Sequence, residues 1–345
     1  MSAWTVVLAG GVGSRFWPLS SPDRPKQLLP LVDGTPMLAA TLERMAALAP
    51  AERTIVLTNA SLTKAVRALA PQLPAANVIA EPRPAGTAAA LAWAAHEIAR
   101  RGGANELLYC VHADWAIGDV PKYQATLRAA GEAALRHDAL VTIGIVPTRP
   151  DPGFGYIQPG GAVGATARTV ARFAEKPTRE VAATMVADGY LWNSGIFVWQ
   201  AGVFLREIAA HCPEVAPAIA AHAADPTAFF GAVTPVSVDV GVLERSTKVL
   251  VVPGDFGWDD VGTWAALHRV RTRDASGNAA IGPVHLVDSR DNVVHAAGGA
   301  VVLYGVEDLV VVARDGITMV TTREQSAELK RMLDALPAPV RELTG

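Results

Sequence analysis

Residues 8–30, LAGGVGSRFWPLSSPDRPKQLLP, decide how the rest of the chain is read. They continue Ala3–Leu8, a short apolar and partly β-branched run that reads as a buried strand. Leu8 ends that run; Gly10, Gly11 and Gly13 follow, then Ser14 and Arg15. Glycines let backbone N–H groups come close to a ligand, and a succession of such groups makes an anion-binding concavity. Arg15 adds a planar fork suited to phosphate oxygens, and Lys26 adds a mobile point charge. The stretch describes a polyphosphate cradle at the carboxyl end of the first strand, where a nucleotide is expected. Two commoner glycine loops do not fit. No GxxxxGK followed by Ser or Thr occurs. The dinucleotide fingerprint GxGxxG needs glycine where Phe16 stands and a helix at once. Pro18, Pro22 and Pro25 forbid that helix, because each proline inside one costs about 3 kcal/mol. The stretch is therefore a long wrapped loop, and a nicotinamide-dependent dehydrogenase is disfavoured.

A chain of 345 residues, 50% hydrophobic and 18% charged, is long enough for a large catalytic domain with an appendage. Its formal net charge of −3 gives no electrostatic case for binding nucleic acid or a membrane surface, so local basic residues must handle any phosphates. Cys110 and Cys212 are the only cysteines and lie far apart, which argues against a disulfide framework and for a reducing, cytoplasmic setting. The N-terminus lacks the basic region of a signal peptide. No apolar run reaches the roughly 18 residues of a membrane span.

Along the chain, Thr35-Pro36 predicts a helix start with Thr35 as cap. Strands are predicted at Thr54–Thr58, Val78–Ala80, Leu107–Val111 and Ala139–Val146. Helices are predicted from Ser61, over Thr87–Arg101 and around Tyr123–Leu135. This alternation predicts an α/β, Rossmann-like mixed sheet, mainly parallel and flanked by helices, with ligands outside the carboxyl ends of its strands. Past Pro147 only short strands are expected, near Tyr156, Val170–Phe173 and Gly195–Trp199. From about Ser276, Val-rich runs between Asp, Asn and Gly turns predict a small all-β module closed by a helix near Glu324–Leu336. The division expected is 1–275 and 276–345.

The string G-G-x-G-x-R-F-W-P-L-S, followed by P-K-Q, resembles the opening motif of the sugar nucleotidyltransferases, and more narrowly of the mannose-1-phosphate guanylyltransferases. The resemblance extends over nearly the whole chain. It implies a nucleotidyltransferase fold with a short left-handed β-helix-like C-terminal domain, used for packing and often for dimer contacts, so a homodimer is an expectation. It also implies synthesis of GDP-mannose from GTP and mannose 1-phosphate, with release of pyrophosphate. Longer bifunctional relatives carry an isomerase domain that this chain stops short of, so one activity is expected.

Such a displacement needs a metal, cations around the phosphates and polar groups for base and sugar. Mg²⁺, or Mn²⁺ in its place, takes oxygen ligands. Asp114, just past a strand, is one candidate; alone it also reads as an ordinary turn or cap residue. Physics does not choose between Asp259 and Asp260 in F-G-W-D-D-V-G, where the pair would also serve to cap a helix near Thr263–Arg269. The similarity to F-G-W-x-D-V-G favours Asp260. Lys26 and Arg15 are the candidates at the α-phosphate and the departing pyrophosphate, helped by the backbone of Gly10, Gly11, Gly13 and Ser14. For the base, Glu81, Gly86 and Thr87 end a strand and begin a helix whose N-terminus suits a nucleotide. For the sugar phosphate, three motifs follow one another: P-D-P-G-F-G-Y-I, F-A-E-K-P and W-N-S-G-I-F. They offer Gly155 and the backbone of Tyr156, then Glu175 and Lys176, then Asn193 and Gly195. A carboxylate and an amide beside glycines suit a polyol. Asp239, in S-V-D-V-G-V-L-E, is expected to orient neighbours or cap a helix.

Two departures weaken the assignment of the base. The mannose-1-phosphate guanylyltransferases that it resembles usually carry R-N-T where this chain has Ala85, Gly86 and Thr87, and P-A-D-H where it has His112–Trp115. Gly-Thr resembles the wider family, including thymidylyl and uridylyl members. The rival readings are therefore another base or another sugar 1-phosphate, a heptose or a different hexose. A catalytically silent, nucleotide-sugar-binding regulator is disfavoured, because Arg15, Lys26, Asp114 and Asp260 are all present.

Overall fold

The structure, a computed structural model, describes residues 3–11, 14–314 and 316–341, with backbone only at Ser14. It contains two compact units, each discontinuous in sequence. The first holds the chain up to Gly10, Leu42–His112 and Asp119–Gly257. The second holds Gly11–Thr41, Ala113–Gly118 and the chain from Trp258 onward.

Strands are numbered along the chain as β1 (Ala3–Leu8), β2 (Thr54–Asn59), β3 (Val78–Glu81), β4 (Leu107–His112), β5 (Ala116–Ile117) and β6 (Leu140–Ile145). Next come β7 (Tyr156–Val163), β8 (Ala167–Ala174), β9 (Leu191–Gln200), β10 (Val249–Gly254) and β11 (Trp258–Asp259). The last six are β12 (Ala279–Ile281), β13 (Val284–Val287), β14 (Val293–Ala296), β15 (Val301–Tyr304), β16 (Leu309–Arg314) and β17 (Ile317–Thr322).

In the first unit, one sheet runs β3-β2-β1-β4-β9-β6-β10-β8-β7. Strands β1, β2, β3, β4, β6, β7 and β10 point one way, and only β8 and β9 oppose them. The sheet is thus mixed and mainly parallel. β1 is buried along its whole length, as a central strand covered on both faces must be. The helix Gly86–Gly102 packs on it and is buried all round from Ala88 to Ala95; small side chains let it come close to its neighbours, and Trp93 packs against Phe229. Phe197, Trp199 and Phe204 stack beside it, with ring centroids 5.3 and 4.2 Å apart. Cys110 is packed in this core as a free thiol. Among the described residues no helix is long and apolar enough to cross a membrane.

Three local expectations need correction. The segment Gly195–Trp199 is part of a ten-residue strand, β9, inserted antiparallel between β4 and β6. Its Asn-Ser-Gly start hides the strand, since such residues ordinarily mark turns. Thr35 does not cap the next helix: its own N–H goes to Asp33 Oδ1, and the carbonyl of Pro36 receives the first helical N–H, from Ala40. Near Thr263–Arg269 the cap is Thr263, whose hydroxyl accepts from Ala266 N, and not the Asp259–Asp260 pair.

In the second unit, β12, β14 and β16 stack in parallel, β17 closes that sheet, and β13 pairs with β15. Two coils of chain therefore lie one above the other. Left-handed residues turn the corners: Gly277, Asp291 and Asp308 precede Asn278, Asn292 and Leu309, and Asp288 and Gly305 do the same on the other side. An asparagine ladder ties the corners together. Asn278 Oδ1 accepts from both the backbone and the side chain of Asn292. Asn292 in turn donates to the Val306 carbonyl and accepts from Leu309 N. The ladder spacings are 14 and 17 residues, and that inequality is why no repeat is visible in the sequence. The apolar core of this unit joins Val293, Val310, Val312 and Met319 to Phe16, Trp17, Leu29, Leu31 and Trp264. Asn292 is fully buried, so Asn292→Ala should leave several corner groups unpaired. Urea unfolding should show a loss of about 2–3 kcal/mol.

Candidate active site

The second unit gathers one cluster of charge. Pro25 leads into a 3-10 turn, Lys26–Leu28, which buries Lys26 to 7% exposure. A buried ammonium needs strong partners. Lys26 Nζ lies 3.0 Å from Asp114 Oδ2 and donates to the Asp260 carbonyl at 2.5 Å. Asp114 stands just before β5, which pairs with β11, and Asp260 directly follows β11, so that small sheet brings the two aspartates to one place. Gln27, the next residue of P-K-Q, donates to the Gly11 carbonyl at 2.8 Å and so ties the glycine loop to this turn. Arg15 is exposed on the short turn Ser14–Phe16. Gly13 lies outside the described residues, as does the side chain of Ser14. Trp115, the departure next to Asp114, packs edge-on against Trp258 with centroids 5.8 Å apart.

Asp259 and Asp260 do different work. The Asp259 carboxylate is buried, accepts the Val261 N–H at 2.8 Å and takes a two-pronged grip from Arg269. Asp260 carries the carbonyl that meets Lys26. Among the described residues, no group of three or more His, Cys, Asp or Glu is arranged to hold a metal ion.

In the first unit, the carboxyl ends of β2 and β3 place Asn59 and Glu81 side by side, while Leu8, at the end of β1, pairs with Leu57. Asn59 donates to the Gly10 carbonyl at 2.9 Å. A methyl group on Gly10 would stand 3.6 Å from Glu81 Oε1 and 3.7 Å from Asn59 Oδ1, so this glycine backbone borders Glu81 directly. Burial pushes the Glu81 carboxyl up to about 7. Gly86 and Thr87 are engaged by the chain itself. Gly86 has φ 82, and a Cβ there would be 2.3 Å from the Val236 carbonyl oxygen. That carbonyl also accepts from Ala88 N, and the Thr87 hydroxyl accepts from Val238 N. The helix N-terminus expected to face a nucleotide is thus partly filled by the segment 236–238.

The sugar-motif residues meet at the same edge of the same sheet. Tyr156 pairs with Ala174 and with Trp192, and Gly144, near the end of β6, pairs with Asn193. Asn193 N donates to the Gly155 carbonyl, and a Cβ on Gly155 would be 2.8 Å from Glu175 Oε2. Asn193 Nδ2 donates to Asp239 at 2.7 Å while its Oδ1 accepts from Gly195 N, so its amide is fixed in one orientation. Burial holds Asp239 above the usual carboxylate range, against the opposing effects of the Asn193 bond and His112. Glu244 is raised by burial and then by Asp239 and Glu175. Gly195 has φ 73, which only glycine adopts readily. Lys176 is exposed, left-handed at φ 42, and 3.2 Å from Glu175. The Tyr156 ring is fully buried and its hydroxyl bonds to Asp151, leaving its backbone as the part able to meet a ligand. Asn59 and Gln27, which no motif singles out for a role, act on glycine carbonyls; a strand end and a place inside P-K-Q are the signals that mark them in the sequence.

A nucleotidyl transferase family model matches residues 4–277, most of the chain. The chain belongs to that family. A second model, the mannose-phosphate isomerase/GMP-like β-helix domain, matches residues 282–336, the coiled module. Xanthan biosynthesis protein XanB of Xanthomonas campestris pv. campestris (strain B100) is 40% identical over 81% of this chain and 62% of its own length. The chain thus spans about 62% of that relative. A mannose-1-phosphate guanylyltransferase of Escherichia coli is 37% identical over 96% of this chain and 73% of its own. A solved structure described as mannose-1-phosphate geranyltransferase from Thermus thermophilus superposes with a TM-score of 0.89 at 34% identity. That match covers 97% of this chain and 100% of the other.

Glu81 gives this family member a pH signature. Between its ordinary value of 4.5 and about 7, the folded protein keeps a proton that the unfolded chain releases. Stability therefore falls as pH rises through that window. Against Glu81→Gln, which has no such proton, the parent should lose roughly 3 kcal/mol between pH 5 and pH 8 in urea unfolding.

Proposed function

We propose that the protein transfers the guanylyl group of GTP to mannose 1-phosphate, releasing pyrophosphate. The observation that carries this reading is the Lys26 ammonium held between the Asp114 carboxylate and the Asp260 carbonyl, in a chain of this family. In-line displacement at a phosphorus atom asks the protein chiefly to position reactants and offset charge. Lys26 is already desolvated and fixed, so it offsets charge at the α-phosphate without reorganising. Arg15 and the backbone of Gly10, Gly11 and Gly13 hold the departing pyrophosphate. Lys176 takes the phosphate of the sugar, Glu175 and Asn193 take its hydroxyls, and the Gly155–Tyr156 backbone lies along its ring.

The donors suit Mg²⁺, with Mn²⁺ as its substitute. Asp114 and Asp260 would hold it, both hard oxygen donors. Two carboxylates fit the habit of Mg²⁺, which commonly takes one or two from a protein and would leave its other positions to substrate oxygens and water. When bound, the ion would supply positive charge to offset that on the phosphates.

Glu81 supports guanine as the base. Guanine presents two donors, N1–H and the N2 amino group, which favour the ionised, acceptor-only form of Glu81, so its binding would release the proton that burial keeps on this carboxyl. Glutamine offers one acceptor and one donor, which matches the N3–H and O4 of uracil. Glu81→Gln should therefore shift the ratio of GTP to UTP use toward UTP by ~10²-fold, read as kcat/KM for each.

The direct test is pyrophosphate release across a matrix of nucleoside triphosphates and sugar 1-phosphates. The reading requires the GTP and mannose 1-phosphate pair to lead; another leading pair replaces the substrate, and no active pair refutes the reaction. Lys26→Ala should lower kcat by ~10²–10³-fold. A defect confined to the KM of the sugar phosphate would reassign the residue.

A further inference from the structure

Asp259, Val261 and Arg269 have no part in the transfer as described, yet they stand directly behind Asp260. Val261 is β-branched, fully buried and left-handed, with φ 48. Side chains of that shape avoid this conformation. Glycine would adopt it readily, but the glycine of this turn is Gly262, one residue later. Something else must hold Val261 there. Its N–H is donated to Asp259 Oδ1 at 2.8 Å. The other oxygen, Asp259 Oδ2, receives Arg269 Nε at 2.8 Å and a terminal guanidinium nitrogen at 2.8 Å. Asp259 is 6% exposed, so its carboxylate is committed to these bonds.

The Val261 N–H and the Asp260 carbonyl are the two ends of one planar peptide unit. Asp259 grips that plane by its N–H, while Lys26 Nζ binds it by its carbonyl and reaches Asp114 with the same ammonium. The chain Arg269, Asp259, peptide 260–261, Lys26, Asp114 is unbroken and lies wholly in the second unit. Releasing the plane at its N–H end would let the carbonyl turn away from Lys26 and leave the ammonium held from one side only. Asp259 also falls on the open position of F-G-W-x-D-V-G, so the motif does not assign it a role.

We propose that Arg269, acting through Asp259, is a positioning residue: it fixes the single peptide plane whose carbonyl seats the Lys26 ammonium against Asp114. The inference rests on the reading above, in which that ammonium serves nucleotidyl transfer.

The test compares Asp259→Ala with the double variant Asp259→Ala/Val261→Gly, in which glycine relieves the backbone strain once the aspartate is gone. The single variant should lose both thermal stability and turnover. The double variant should regain part of the lost thermal midpoint, short of the parent because the buried Val261 side chain is gone, while kcat stays down by ~10²-fold, with both KM values within about twofold of the parent. In parallel, Lys26 is labelled with an amine-acetylating reagent, without nucleotide or metal, and read by mass spectrometry. It should react severalfold faster in the double variant than in the parent. Recovery of kcat together with the midpoint, or unchanged labelling of Lys26, overturns the proposal. Arg269→Lys keeps the charge without the two-pronged grip and should fall between parent and double variant in both readouts; equality with the parent in both also overturns it. Should the parent release no pyrophosphate with any pair, the reaction is misassigned, and the labelling comparison alone decides the positioning role.

Discussion

A lysine charge removed from water must be met by charge or strong dipoles, and the second unit is arranged around that requirement at Lys26. Its two partners lie 88 and 234 residues away along the chain. Neither is a neighbour by local structure; each arrives through strand pairing, one just before β5 and the other just after β11. The same unit draws Phe16, Trp17, Leu29 and Leu31 into the core beneath the coiled module. Trp264 Nε1 donates to the Trp17 carbonyl, Arg314 to those of Pro18 and Leu19, and Arg271 to that of Leu31. The loop that holds Lys26 therefore owes its shape to residues from the far end of the chain. Arg271 shows how strictly this is done. It is 5% exposed and bonded to carbonyls and to the neutral ring of His295, and burial pushes its guanidinium down to about 9.

The first unit solves a different problem, presenting polar groups without unsettling a large apolar sheet. It does so at the carboxyl ends of strands, where the ladder stops and side chains such as Asn59, Glu81 and Asn193 take over the hydrogen bonding. Each is tied to backbone or to a second side chain, or borders a glycine. The Thermus structure superposes over 97% of the chain, so this strand architecture is shared between them.

Much of this could be read from residues alone, and the limits are physical. The buried strands β1, β2 and β4 announce themselves because a strand covered on both faces must be a continuous apolar run. Strand ends are then easy to place, which is why Leu8, Glu81 and Asp114 stand out. β9 does not, because Asn193, Ser194 and Gly195 near its start are residues that ordinarily mark turns. The coil repeat stays hidden because its corners are fixed by backbone conformation, and Gly, Asp and Asp serve equally there. Least visible of all is what a side chain is already doing. Gly86 and Thr87 look like a nucleotide-facing helix start, and the sequence does not show that the segment 236–238 also packs against them. Asp259 and Asp260 look interchangeable until Arg269 is seen to claim the first.

The uneven coils of the C-terminal module carry a consequence of their own. Between β12 and β13 the chain turns through Gly282 and Pro283, whereas between β14 and β15 it takes the longer path Ala297–Ala300, and the strands still stack in register. The asparagine ladder sits at other corners and does not feel the difference. That bend is a natural place for the polypeptide to gain or lose length, so peptide tags or recognition loops can be grafted there while the rungs on either side keep their alignment.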